Sequence, residues 1–177
     1  MVKAKKLPTK IDLGCGKRKQ EGFYGVDIIN FPEVDLVYDL RKKWPWNDSS
    51  VEEYYCSHFL EHFDAEERAH MVNEMYRTLI PGGKVTLIVP YGLSDRYFGD
   101  PTHKWPPITT FWFFYLSSKW RDENAPHTNE IYKCNFNCTW GYILHPELNT
   151  RSQEYQQFAV TWYVNSVVDI HCTMVKE

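Results

Sequence analysis

An α/β fold built on a mostly parallel sheet is the architecture this sequence predicts, and three stretches predict it. Lys10–Ile28 reads as strand, glycine turn, short connection, strand. Asp64–Ile80 carries the chain's clearest helical period. Val85-Thr86-Leu87-Ile88-Val89 is a nearly unbroken, largely β-branched run, the pattern of a parallel strand covered on both faces.

The first strand signal, Ile11-Asp12-Leu13, runs straight into Gly14-Cys15-Gly16, and a second apolar run spans Phe23 to Ile29. Gly14 and Gly16 lack a Cβ, so the backbone there can take positive φ and approach a ligand closely. An acid at the tip of the following strand, Asp27, is placed to accept from a pair of ribose hydroxyls. Only Lys17-Arg18-Lys19-Gln20-Glu21-Gly22 separates the turn from the second strand. A parallel crossover normally takes a dozen residues or more, usually a helix. The first helix is therefore expected to be cut to a turn or lost. Such a helix would bring N–H groups and partial positive charge to an anionic ligand. Lys17 or Arg18 is placed to supply that charge instead, the alternative being a loop of solvated cations.

Val34–Tyr38 reads as a third strand ended by Asp39-Leu40, with Asp39 a competing turn cap. Trp44-Pro45-Trp46 follows in a proline-punctuated loop, its tryptophans either walling a site or filling the core. Val51–Ser57 is a fourth strand leading into His58-Phe59-Leu60-Glu61-His62. Asp64, with Glu67 three residues on, makes a capping box. Val72, Met75, Tyr76 and Leu79 form one helical stripe, and Pro81-Gly82-Gly83 is read as its stop.

After Val89 the sequence loses period. Four prolines between positions 90 and 107 predict a long ordered loop, and loops of that length tend to be functional. Within it His103 can carry a proton near neutral pH, Asp100 can orient it, and Trp105 can stack on a flat substrate, with a rigid proline turn as the alternative. Thr109–Lys119 is read as a helix, Arg121–Glu130 as a polar loop, and Ile131–Leu144 as a strand on which Cys134 and Cys138 share a face. Arg151–Trp162 is a helix and Val167–Val175 a final strand.

D-L-G-C-G followed by G-V-D resembles the first two cofactor motifs of class I S-adenosylmethionine-dependent methyltransferases. Asp39-Leu40, Ser57–His62 and Leu79–Lys84 match in order and spacing over about residues 9 to 90. The resemblance implies a Rossmann-like sheet with an abbreviated first helix and an antiparallel C-terminal strand. It implies S-adenosyl-L-methionine as cofactor, held by Asp12, Gly14, Cys15, Gly16, Lys17, Asp27, Ile28, Asp39, Leu40, Ser57 and His58. In the family an acid at the place of Asp39 meets the adenine amino group and the next residue, here Leu40, packs on the ring. Ser57 and His58 would sit beside the methyl donor. The Asp-Pro-Thr-His segment is similar to one in small methyltransferase-like proteins of bacteria and tailed phages. His103 and then His58 are nominated as base, with Tyr91, Asp100, His103 and Trp105 toward substrate.

His58-x-x-Glu61-His62 also has the ligand spacing of inverted zinc metallopeptidases. Those ligands sit within one helix, whereas here they occupy a strand-to-helix turn. No helical segment offers an obvious third ligand, so no metal ligands are expected, and zinc hydrolysis stands as the remote alternative.

With 177 residues, the chain suits one domain, residues 1–177, with a cofactor half over about 9–90 and a lid and substrate half over 91–177. A net charge of −3 provides no footprint for gripping a phosphate backbone. Signatures of nucleic-acid amine or pyrimidine carbon methylation are missing as well. A small molecule offering O or N is the expected acceptor, with a nucleobase or nucleic acid, or binding of cofactor without turnover, as alternatives. Five cysteines without a signal peptide point to a reducing cytoplasm. No run reaches spanning length, and Lys3, Lys5 and Lys6 read as a solvated tail. Oligomeric state is not encoded in any motif.

Overall fold

The structure, a computed structural model, describes residues 8–177, so the lysines at 3, 5 and 6 lie outside the described residues. A seven-stranded sheet runs through the molecule in the order β3-β2-β1-β4-β5-β7-β6. β1 (Lys10–Leu13) pairs in parallel with β2 (Tyr24–Asp27) and with β4 (Val51–Ser57), and β3 (Leu36–Val37) joins outside β2. β5 (Leu79–Pro90) continues the parallel set beside β4. β7 (Val167–Lys176) pairs antiparallel to β5 and to β6 (Phe136–Leu144). The fold is thus α/β with a mostly parallel sheet, as expected, and its last two strands run antiparallel to their neighbours.

The crossover between β1 and β2 holds turns only; no helix forms between residues 14 and 23. The longest helix, α1 (Ala65–Thr78), starts at Asp64, whose carboxylate accepts from the Glu66 and Glu67 N–H groups. The Glu67 side chain returns to the Asp64 N–H, completing the capping box. Met71, Val72 and Met75 are fully buried against Ile11, Leu13, Tyr54, Val85 and Leu87 of the sheet. Trp44 and Trp46 belong to this core, edge-on to Tyr54 at 5.5 and 6.2 Å between ring centres. They fill the core and do not wall a site.

Four boundaries differ from the sequence reading. Pro81-Gly82-Gly83 lies inside β5, because the chain resumes ladder contact at Leu79, opposite Val51, immediately after the helix ends. The segment read as one helix from Thr109 is a run of 3₁₀ turns over Thr110–Leu116, and the Ser117 hydroxyl then caps a separate α3 (Ser118–Asn124). The supposed polar loop is the rest of α3 plus a 3₁₀ segment, Pro126–Glu130. Its anchor is Arg121, buried, donating to the carbonyls of Tyr115 and Cys134 and to Asn129 Oδ1 at 2.6–2.9 Å. Cys134 precedes β6 and points its thiol at the Leu116 carbonyl, so it shares no strand face with Cys138.

The loop after β5 contains one short helix, α2 (Asp95–Phe98). Leu144 ends β6 near Val167, so the connection to β7, which includes α4 (Gln153–Trp162), emerges at the same edge as the carboxyl ends of the parallel strands. None of the described helices is long and apolar enough to cross a membrane.

Candidate cofactor and active site

At the carboxyl edge of the sheet the turn after β1 is drawn onto the end of β2. The N–H groups of Gly14 and Cys15 both donate to the Val26 carbonyl, at 2.8 and 3.2 Å. Gly14 and Gly16 take φ of +66° and +51°. Their missing side chains serve different ends. A Cβ on Gly14 would stand 2.1 Å from Phe59 Cδ2, so the space over Gly14 belongs to the Phe59 ring rather than to a ligand. Nothing lies within 4 Å of the Cβ position at Gly16, whose open side faces a cavity.

That cavity measures about 550 Å³ and is lined by Asp12, Gly14, Cys15, Gly16, Lys17, Arg18, Gln20, Tyr55, Ser57, His58 and Arg96. Asp12 is buried in its wall, accepting from the Gln20 N–H at 2.7 Å. Burial pushes its carboxyl up from the ordinary 3.8 to about 6, against the pull of that hydrogen bond. Burial also raises the Cys15 thiol to about 11, which keeps it protonated and unreactive at neutral pH. Lys17 and Arg18 also line the cavity, Lys17 Nζ lying 5.3 Å from the centre of the Phe31 ring.

Asp27 takes the Gly16 N–H on Oδ2 at 3.0 Å and the Ile29 N–H on Oδ1 at 2.9 Å. An ionised carboxylate offers about four acceptor sites, so two remain for further donors. It borders a second, mainly apolar cavity of about 240 Å³, shared with Ile28, Tyr38, Asp39, Leu40, Arg41, Phe59, His62 and Phe63. Leu40 is buried there, whereas Asp39 is engaged by Arg41 through two bonds of 2.9 and 3.0 Å. The Arg41 guanidinium holds the Asp39 carboxyl below the usual carboxylate range.

His58 follows β4 directly and adopts φ +51°, which breaks the strand and turns the chain into the 3₁₀ segment Leu60–His62. Its ring stands between two buried carboxylates, Nδ1 3.4 Å from Glu61 Oε1 and Nε2 4.0 Å from Asp169 Oδ2. His58 and His62 are consequently not on one face of a helix, and the metallopeptidase arrangement is not formed. The fold nevertheless supplies what the sequence lacked: His103 comes in from the loop, beside Glu61 and His62.

The loop nominees fall in unexpected places. Asp100, His103 and Trp105 line neither cavity. Trp105 is 76% exposed, and His103 donates through Nδ1–H to the Tyr97 carbonyl, 2.8 Å away. Asp100 is taken up by the N–H and hydroxyl of Thr102. Tyr91 packs edge-on against Tyr142. The loop's contribution to the larger cavity is Arg96, from α2, paired with Asp169 at 3.0 Å. Nothing in the local sequence singles Arg96 out, since its partner lies 73 residues away on β7.

Arg68 was also hidden, reading as an ordinary polar position of α1. It is buried and donates to the carbonyls of Leu60 and Glu61 on one side and of Lys104 and Pro106 on the other, and to the Tyr97 hydroxyl. One guanidinium thereby fastens the loop to the turn after β4.

Residues 17–87 match the family model described as a methyltransferase domain. No curated protein matches the sequence. Among solved structures, a methyltransferase from Archaeoglobus fulgidus, described as S-adenosylmethionine-dependent, superposes with a TM-score of 0.67 at 18% identity, over 94% of this chain and 85% of that one. One from Methanosarcina mazei, so described too, gives 0.55 at 14%, over 98% and 94%. The 1,6-didemethyltoxoflavin-N1-methyltransferase of Burkholderia thailandensis, with that ligand and S-adenosylhomocysteine bound, gives 0.58 at 10%, over 96% and 71%. At these identities the likeness is one of fold.

Proposed function

We propose that this chain, whose residues 17–87 match a methyltransferase domain and whose fold is like that of S-adenosylmethionine-dependent methyltransferases, transfers a methyl group from S-adenosylmethionine to an O or N atom of a small molecule. The observation that carries this reading is the charge of the larger cavity's lining, which holds the buried Asp12 carboxyl together with the Lys17 and Arg18 side chains. That lining suits the ammonium and carboxylate of an amino-acid moiety, and about 550 Å³ falls within the roughly 300–1,000 Å³ of small-ligand sites. When bound, S-adenosylmethionine supplies a methyl group already activated on a sulfonium.

The protein's part is alignment and proton removal. Asp12 accepts from the ammonium, and Lys17 or Arg18 meets the carboxylate. Asp27 receives the ribose hydroxyls on its two remaining acceptor sites, and Leu40 packs on adenine in the smaller cavity. His58 is the base. It lines the cavity beside Ser57, and Glu61 and Asp169 stabilise the imidazolium it becomes on taking the acceptor's proton. This reverses the order of the two nominated histidines, because His103 lines neither cavity. The methyl acceptor enters over α2, where Arg96 meets Asp169. An acceptor of the kind named for the Burkholderia thailandensis neighbour, 1,6-didemethyltoxoflavin, is in keeping with a cavity of about 550 Å³. The five free thiols suit the cytoplasm.

Calorimetry with S-adenosylmethionine tests the cofactor half of the proposal: wild type binds, and Asp27→Ala binds at least tenfold more weakly. Incubation with methyl-labelled donor and a metabolite extract tests transfer. His58→Asn is expected to slow turnover about 10²-fold or more with cofactor affinity retained. Equal turnover by His58→Asn, or no labelled product at all with wild type, goes against catalysis by this site.

Asp12 makes the binding pH-dependent. A cationic ligand favours the ionised carboxyl, so affinity rises as pH climbs through about 6 and flattens above it. Without ligand the sign reverses. A carboxyl raised from 3.8 to about 6 by folding favours the native state below pH about 4, and that advantage is lost as pH rises through about 6. Asp12→Asn is therefore expected to be more stable than wild type at pH 7, by on the order of 3 kcal/mol at ~1.36 kcal/mol per tenfold shift in proton affinity. It should match wild type near pH 4, and its affinity for the cofactor should be weak and indifferent to pH. Urea melts and calorimetry across pH 4–8 measure both.

A further inference from the structure

We propose that Glu61, His62 and His103 form a binding site for a divalent transition-metal ion of the zinc class. One carboxylate oxygen and one nitrogen from each imidazole lie within 4.8 Å of one another, brought together from the turn after β4 and from the loop after β5. Two imidazoles and a carboxylate are a donor set that zinc accepts, with a further position open to water or another oxygen donor.

The second observation is the state of Glu61. Its side chain is 1% exposed, and Oε2 has no hydrogen-bond partner. Its other oxygen is 3.4 Å from His58 Nδ1. A buried carboxylate oxygen left without a donor is costly, and an ion at the site is one of the standard ways such an oxygen is satisfied.

The histidines are held as ligands need to be. His103 presents Nδ1 to the Tyr97 carbonyl, which assigns the proton to that nitrogen and the lone pair to Nε2. The His62 ring is held by Thr102 Oγ1, 3.0 Å from Nδ1, and that hydroxyl in turn donates to Asp100 Oδ1 at 2.6 Å. Outer contacts of this kind orient the imidazoles that bind metals. Asp100 Oδ2 stands 3.7 Å from His103 Nε2 and is near enough to become a further oxygen ligand. Arg68 fixes the two backbone segments relative to one another, so the site is organised before the ion arrives. Ligands about 2.0–2.2 Å from zinc are roughly 3.4 Å apart in a tetrahedron, so binding draws the three side chains closer by about 1 Å.

The site shares His62 with the lining of the smaller cavity, but it uses none of the residues assigned to the cofactor or to proton removal as ligands other than Glu61, and it stands whether or not methyl transfer is correct. It also meets the larger cavity through Glu61, whose second oxygen faces His58, so a bound ion would limit how far that carboxylate can neutralise a protonated His58.

The test is calorimetric titration of the full chain, stripped with chelator, using zinc chloride alone, with cobalt(II) absorption as a second probe. The expected result is one ion per chain and, on cobalt addition, visible bands of a tetrahedral or five-coordinate site. His62→Ala and His103→Ala should each weaken binding on the order of 100-fold, and His127→Ala, at an exposed position, should leave it unchanged. Glu61→Gln keeps the volume of the buried side chain and should weaken binding as well; circular dichroism on each variant identifies any that do not fold, and the folded ones decide. Failure to bind one ion per chain, or affinity that survives in folded His62→Ala and His103→Ala, overturns the proposal.

Discussion

Gly14→Ala is expected to disable the site outright. The new Cβ meets the Phe59 ring 2.1 Å away, well inside van der Waals contact, on a residue whose φ of +66° already disfavours a side chain by roughly 1–2 kcal/mol. The turn and the ring cannot both keep their places. Either Phe59 swings into the smaller cavity it lines, or the turn lifts off the Val26 carbonyl that anchors it. Both outcomes reach the cofactor: the first fills the proposed adenine seat, and the second releases Gly16 from Asp27. We expect a loss of stability of about 2–4 kcal/mol in urea melts and no measurable binding of S-adenosylmethionine. The companion variant Phe59→Ala removes the collision, so Gly14→Ala should cost much less stability in that background. A difference between the two backgrounds of under about 0.5 kcal/mol, the limit of additivity for independent sites, contradicts the contact as the cause.

The second large effect is expected at Arg68. Arg68→Met retains most of the aliphatic stem but strips the donors from four backbone carbonyls and one hydroxyl. Those acceptors are held where the fold gives them no ready substitute, and each buried group left unpaired costs about 1–3 kcal/mol. Some will be recovered by water as the loop relaxes, so a total near 3–5 kcal/mol is expected, the range for breaking buried charged networks. Because the bonds join residues 60–61 to 104–106, the damage should be regional. Amide exchange should quicken over about residues 97–106 well before it does in β4 or β5. Arg68→Lys should not rescue it, since one ammonium cannot reach acceptors on both sides in the fork geometry of a guanidinium. Uniform loss of protection across the sheet would contradict the role assigned here.

Local features of the fold were legible in the sequence, and long-range ones were not. The capping box at Asp64 and Glu67 is written in residues three apart, and the structure keeps both of its bonds. The shortness of the first crossover followed from counting six residues, and no helix forms there. Ile11, Leu13 and the Val85–Val89 run read as strand from β-branching and apolar content alone, and they pack as such. By contrast, α3 escaped detection because its start depends on a serine cap and its burial on Arg121, whose partners are carbonyls rather than apolar neighbours. The same holds at the candidate site. Gly14, Gly16 and Asp27 lie close in sequence and announced themselves. Arg96 with Asp169, and His62 with His103, meet only because β7 slots beside β5 and the loop folds back over the turn. Residue type suggested that His103 mattered, but no spacing rule says what it will stand next to.

The missing helix after β1 has a consequence for how the pocket responds to its medium. Backbone N–H groups at a helix end are fixed in place, whereas the positive charge near this glycine turn includes the exposed side chains of Lys17 and Arg18. Mobile ions screen such charges over about 10 Å at 0.1 M salt. If Lys17 and Arg18 meet the ligand's carboxylate as proposed, ionic strength should act on its affinity more than at a helix-capped site, and a single exchange at position 17 or 18 should retune it without disturbing the sheet.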